Sequence, residues 1–140
     1  MTTAIDSNVL AALWNSDDSL NKAATAALEA ALDKGSLVVA APVYAELLAT
    51  PDRDEAYIEY FFARTGILID WNLDESIWKF AGLAYREYAN RRRKHGAPGP
   101  RRILTDFLIG AHALRNEFPL LTMDFSLFQA AFPRLVILKM

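Results

Sequence analysis

With 140 residues, 53% apolar side chains and only six glycines and six prolines, the chain has the make-up of one folded domain, 1–140. A domain of that size buries ~68–70% of its unfolded surface. It has no cysteine, which excludes a disulfide framework and a thiolate metal site. A net charge of −2 makes the molecule as a whole no general polyanion binder.

The longest uncharged apolar run, Leu37 to Ala45, is broken by Pro42 and falls far short of the ~18 residues of a membrane span. Met-Thr-Thr-Ala-Ile-Asp at the start lacks the basic and apolar stretches of a secretory signal. A cytoplasmic protein with no membrane contact is therefore expected.

Thr3-Ala4-Ile5 predicts a short first strand, followed by a helix through Val9, Leu10, Leu13 and Trp14. Asn15 to Asp18 form a turn, and an alanine-rich helix runs on to Lys34, closed by Gly35. Leu37 to Ala41 is a continuous apolar run, the pattern of a strand buried on both faces. Pro42 suits the first turn of the next helix, and Pro51 would stop it. Asp52 or Asp54 can cap a helix through Tyr57, Ile58, Phe61 and Phe62 to Gly66, and Ile67-Leu68-Ile69 follows as a third strand.

Asp74 is a good cap for a long helix whose stripe is Ile77, Ala81, Ala84 and Tyr88. His95 to Pro100 is a loop, and Thr105 can cap a helix from Asp106 to about Asn116. Leu120 to Thr122 predicts a fourth strand, Phe125 to Ala131 a short helix, and Leu135 to Leu138 a fifth strand. Strands alternating with helices predict a parallel sheet covered on both faces.

Four acids stand at the ends of these apolar segments: Asp6, Glu46, Asp106 and Asp124. Sites in open parallel sheets form beyond the carboxyl ends of the strands, and a ring of carboxylates there can hold a hard divalent cation. Such a cation polarises a phosphate and acidifies an attacking water. Singly, Asp6 and Asp124 are better explained as helix caps, Asp106 as a first-turn acid and Glu46 as a solvated glutamate. Jointly, the four make a candidate catalytic and metal-binding site. Asn8 and Thr105 are placed to orient ligands or water behind them.

Seven of the fifteen basic residues lie between Arg86 and Arg102. Arg91, Arg92, Arg93, Lys94, Arg101 and Arg102 are candidate contacts to a nucleic-acid backbone. Arg91 to Lys94 equally suit the end of a helix, where cations complement the dipole.

Over essentially its full length the chain resembles the PIN-domain nucleases, and among them the VapC-type toxins of toxin–antitoxin pairs. Ile5-Asp6-Ser7-Asn8-Val9-Leu10 is similar to the family's opening motif, with serine in place of the usual threonine. Glu46 in Tyr-Ala-Glu-Leu-Leu, the helix from Thr105-Asp106 to Leu114, and Leu121-Thr122-Met123-Asp124 match its three further acid segments. Met123 departs from the basic or small residue common there.

The resemblance implies a three-layer α/β/α fold with a five-stranded parallel sheet. It also implies Mg²⁺- or Mn²⁺-dependent RNA cleavage, a homodimer and a cognate antitoxin. Three other functions compete. A histidine acid–base ribonuclease would rely on His95 or His112, of which His112 has the setting of a structural residue. A noncatalytic protein- or RNA-binding module would use surface such as Tyr57, Tyr60 and Trp14. An aspartyl phosphotransfer domain lacks a phosphate-binding loop after Asp6 and ranks lowest.

Overall fold

The structure, a computed structural model, describes residues 1–97 and 104–140; Arg101 and Arg102 of the basic patch lie outside the described residues. Five strands form one parallel sheet: β1 (Thr2–Ile5), β2 (Ser36–Ala40), β3 (Leu68–Asp70), β4 (Leu120–Thr122) and β5 (Ile137–Lys139). Among the described residues seven helices cover it: α1 (Ser7–Trp14), α2 (Asn21–Lys34), α3 (Ala41–Leu47), α4 (Glu55–Thr65), α5 (Glu75–Lys94), α6 (Leu104–Arg115) and α7 (Phe125–Ala131). This is the expected three-layer α/β/α arrangement with a five-stranded parallel sheet.

Strand order is β3-β2-β1-β4-β5. The chain begins in the middle of the sheet, builds outward through β2 and β3, then crosses back to lay β4 and β5 on the other side. The order reverses between β1 and β4. Helices leaving neighbouring strands diverge at such a point and open a crevice at the carboxyl edge.

Buried apolar groups explain the layers. Leu37, Val38, Val39 and Ala40 are all buried, as a strand sandwiched between helices requires. Val9, Leu10, Val43, Ile58, Ala81 and Ala111 bring α1, α3, α4, α5 and α6 into the same core. Gly35 follows α2 with φ 152°, and a Cβ there would lie 1.8 Å from the Met1 carbonyl oxygen. Only glycine lets the start of β2 lie so close to the start of the chain.

The local signals hold at most helix ends. Asp54 accepts a hydrogen bond from the Tyr57 N–H at 2.8 Å, Asp74 one from Ile77 at 3.0 Å, and Gly66 closes α4 at φ 73°. β2 and β3 each shift by one residue, and three boundaries differ by two or more. α3 ends at Leu47, four residues before Pro51, so its last carbonyls are taken by a tight turn (Thr50 N–H to Leu47 O, 3.0 Å). α6 starts at Leu104, which puts Thr105 inside the first turn and not at the cap. β5 begins at Ile137 because Leu135 is still held by the turn after α7 through its N–H to Phe132 O, 2.9 Å.

Candidate active site

Asp6 leaves β1 at the carboxyl edge, where the strand order reverses. It is buried, with 4% of its surface exposed. Its Oδ1 accepts the Ser7 backbone N–H at 2.8 Å, and its Oδ2 accepts the Thr122 hydroxyl at 2.7 Å. Thr122 ends β4, so this bond joins the two strands across the switch point. The same hydroxyl oxygen accepts the Asp124 N–H at 3.0 Å. Each Asp6 oxygen retains a second lone pair beyond these bonds.

Glu46 reaches the site from α3, one turn beyond β2. Its Oε1 accepts the Ser7 hydroxyl at 2.9 Å, and that hydroxyl lies 3.5 Å from Asp6 Oδ1. Asp106, in the first turn of α6, acts electrostatically on both Asp6 and Glu46. Burial, with the charges of Glu46 and Asp106 behind it, pushes the Asp6 carboxyl up to about 6, against the opposing hydrogen bonds from Thr122 and Ser7. Burial and Asp106 also raise Glu46, opposed by Ser7. No lysine, arginine or histidine among the described residues forms an ion pair with Asp6 or Glu46.

Three of the four predicted acids thus share one electrostatic neighbourhood. Asp124 joins it through its backbone bond to Thr122; its carboxylate does not cap α7. Among the described residues no three His, Asp or Glu side chains stand close enough to hold one ion as they are arranged. The Ser7 hydroxyl lies between Asp6 and Glu46 and accounts for part of that spacing. In kind, the donors suit a hard divalent cation: oxygen only, mutually repelling, and one of them buried.

Asn8 follows Ser7 in the first turn of α1. Its Oδ1 accepts the Met123 N–H at 3.3 Å and ties α1 to the segment that leads to Asp124. Thr105 sits beside Asp106, half-buried. The basic last turn of α5 carries Arg91, Arg92, Arg93 and Lys94. Tyr85 and Tyr88 of α5 pack on Phe107, the neighbour of Asp106, at ring separations of 5.2 and 5.4 Å. The Arg115 charge at the end of α6 acts on Asp74 at the start of α5, so the two helices run antiparallel. The basic turn therefore lies ~5–9 Å beyond Tyr88 along the axis, at the Asp106 end.

Two residues of this site lie outside the predicted set, Ser7 and Thr122. Ser7 has the look of an ordinary helix-start residue, whereas the hydroxyl of Thr122 in the apolar run Leu-Leu-Thr was a usable signal.

His112 is fully buried on α6, with Nε2 2.9 Å from Asp70 Oδ2 at the end of β3. It therefore cannot act on a substrate as a histidine nuclease needs. His95 caps α5 at the surface. A cleft of about 660 Å³ lined by Met1, Phe118, Pro119 and Arg134 opens at the amino edge of the sheet and contains none of the acids.

The PIN domain family model matches residues 3–133. The chain belongs to the PIN domain family. Members of that family are generally nucleases. No curated protein matches the chain. Among solved structures, this PIN domain is similar to VapBC-1 from nontypeable Haemophilus influenzae, at 24% identity over 99% of this chain and 98% of that one, with a TM-score of 0.67. It is similar to FitAcB from Neisseria gonorrhoeae (19% identity, 99% and 97% coverage, TM-score 0.65) and to a toxin–antitoxin complex from Klebsiella pneumoniae (19%, 96% and 95%, TM-score 0.67). At these identities the likeness is one of fold. Among the described residues, no helix of this PIN domain is long and apolar enough to cross a membrane.

Proposed function

We propose that this PIN domain is a divalent-metal-dependent endoribonuclease, the toxin of a toxin–antitoxin pair. The observation that carries the proposal is the buried Asp6 at the sheet's switch point, crowded by Glu46 and Asp106 and without a basic partner among the described residues. A carboxylate in that position gains from a cation.

Asp6, Glu46, Asp106 and Asp124 would hold Mg²⁺ or Mn²⁺. The ion would supply positive charge to polarise a phosphodiester and acidify water. Asp6 is oriented by two donors, from Ser7 and Thr122, and keeps a lone pair on each oxygen for a ligand. Glu46 is half-buried and would close toward Asp6 as the Ser7 hydroxyl gives way. Thr122 holds the backbone of Asp124 in register with Asp6, and Asn8 fixes the residue before it. Thr105 lies beside Asp106 and would orient it. Arg91, Arg92, Arg93 and Lys94, with Arg101 and Arg102, would hold the RNA backbone, which gives affinity more than sequence choice.

The structural neighbours include toxin–antitoxin complexes, which supports a cognate antitoxin as partner. Exposed Tyr57 and Tyr60 on α4 and Trp71 after β3 offer aromatic surface for that antitoxin or for a second protomer of a homodimer. The cytoplasm is the proposed place of action.

The deciding assay is RNA cleavage with Mg²⁺ or Mn²⁺, with excess chelator, and by Asp6→Asn and Asp106→Asn variants of confirmed fold. Cleavage confined to wild type with metal is expected. Full activity in either variant, or activity that survives complete chelation, would overturn the proposal.

A further inference from the structure

The carboxyl edge of the sheet carries a cation at the end of β5. Lys139 ends β5 and pairs in register with Thr122, the residue whose hydroxyl binds Asp6. Register partners in neighbouring strands share a face of the sheet and lie ~4.8 Å apart. The ammonium of Lys139 stands 3.9 Å from the ring centroid of Phe125, which follows Asp124. No carboxylate among the described residues forms an ion pair with it. An ammonium seated on an aromatic face is oriented without being neutralised.

A cleft of about 160 Å³, lined by Leu20, Thr122, Met123, Phe125, Lys139 and Met140, joins this ammonium to the edge of the acid site. That is well under the ~300 Å³ of pockets that enclose organic ligands. A phosphate group fits it, beside the ammonium. A polyanion approaching a group of carboxylates is repelled by them, and a cation close to them counters that repulsion.

We propose that Lys139 is a substrate-binding residue that takes a backbone phosphate of the nucleic-acid strand adjacent to the one over Asp6. The inference rests on the nuclease reading above. A lysine is a point charge with freely rotating donors, so the contact holds phosphate irrespective of sequence.

The test is steady-state cleavage of a fluorescent single-stranded RNA by wild type, Lys139→Gln, Lys139→Glu and Lys139→Arg across a salt series, with thermal melts to confirm folding. Lys34→Gln, which removes a lysine from the opposite edge of the sheet, is the control. Lys139→Gln should raise KM about fivefold with kcat within twofold, and Lys139→Glu should raise it further. The slope of log KM against log salt should shrink by ~0.7, the value for one contact to a single strand. Lys139→Arg should restore both, and Lys34→Gln should change neither. Unchanged KM and slope in both the Gln and Glu variants, while wild type cleaves, would overturn the role of Lys139 and leave the nuclease reading standing. A fall in kcat at constant KM would overturn it too. A wild type that cleaves no RNA with Mg²⁺ or Mn²⁺ overturns both.

Discussion

Replacing Asp6 with asparagine should stabilise the metal-free protein at neutral pH and weaken it in acid. The Asp6 carboxyl is raised from 3.8 to about 6 by burial and by Glu46 and Asp106. A group whose folded pKa lies above its unfolded one binds its proton more tightly in the folded state. Its contribution is fully present below about pH 4 and is lost as pH rises through about 6. A rise of that size corresponds to about 3 kcal/mol. Glu46 is raised and acts in the same direction. Asp70 and Asp74 are lowered, so their contributions disappear only below that window.

Asparagine can still accept the Ser7 N–H, but its amide would have to donate to a Thr122 hydroxyl oxygen that already accepts from Asp124. That exchange costs about 1 kcal/mol. The net gain at pH 7.5 is therefore about 2 kcal/mol, or ~8 °C in Tm for a chain of this length. At pH 4 the variant should be about 1 kcal/mol less stable than wild type. Thermal melts in chelator from pH 4 to 7.5 measure both. Mg²⁺ at a hundredfold excess over its Kd should then return ~2.7 kcal/mol to wild type alone. A wild-type Tm that stays flat or rises between pH 4.5 and 7, or an Asp6→Asn variant destabilised at pH 7.5, would refute the reasoning.

Thr122→Val removes the donor to Asp6 and the acceptor for Asp124 N–H. It should cost about 2 kcal/mol at pH 7.5 and less at pH 4, as measured by urea unfolding at both pH values. Gly110→Ala places a Cβ 2.3 Å from the Phe132 ring. Overpacking of ~1–3 kcal/mol should outweigh the ~1 kcal/mol gain in helix propensity and lower Tm. His112→Ala loses the bond to Asp70 and leaves a void beside Phe118, so the urea midpoint should fall by the equivalent of about 2–4 kcal/mol.

What the sequence disclosed follows the range of the forces involved. Asp54, Asp74 and Gly66 were legible as helix ends because each acts on backbone within four residues of itself. The apolar run of β2 was legible for the same reason, since it depends only on its own strand. The partner of Thr122 was not, because it lies 116 residues away and the β1–β4 register that joins them is set by packing of the whole sheet. The partner of His112 was hidden likewise, at a separation of 42 residues. The histidine itself fits its expected structural role, with Nε2 bonded and Nδ1 buried without a partner. Thr105 looked like a cap because it precedes an acid and an apolar run, a pattern that the first turn of a helix shares.

The distribution of charge separates a binding site from a structural network. At His112 and Asp70 the two partners face one another at 2.9 Å, and against burial the hydrogen bonds from His112 and the Asn72 backbone N–H hold the Asp70 carboxyl below its ordinary range. Asp6 and Glu46 are treated differently. Their nearest donors are two hydroxyls and a backbone N–H, which orient the carboxylates while leaving their charge unneutralised. A lysine at position 122 would neutralise Asp6 more completely, yet it would fill the very space and charge that a bound cation needs. Cations occur instead in the last turn of α5 and at the end of β5. Carboxylates held by neutral donors and left without a basic partner are poor economy for stability. They are what the proposed site would require to take up a divalent ion and then a polyanion.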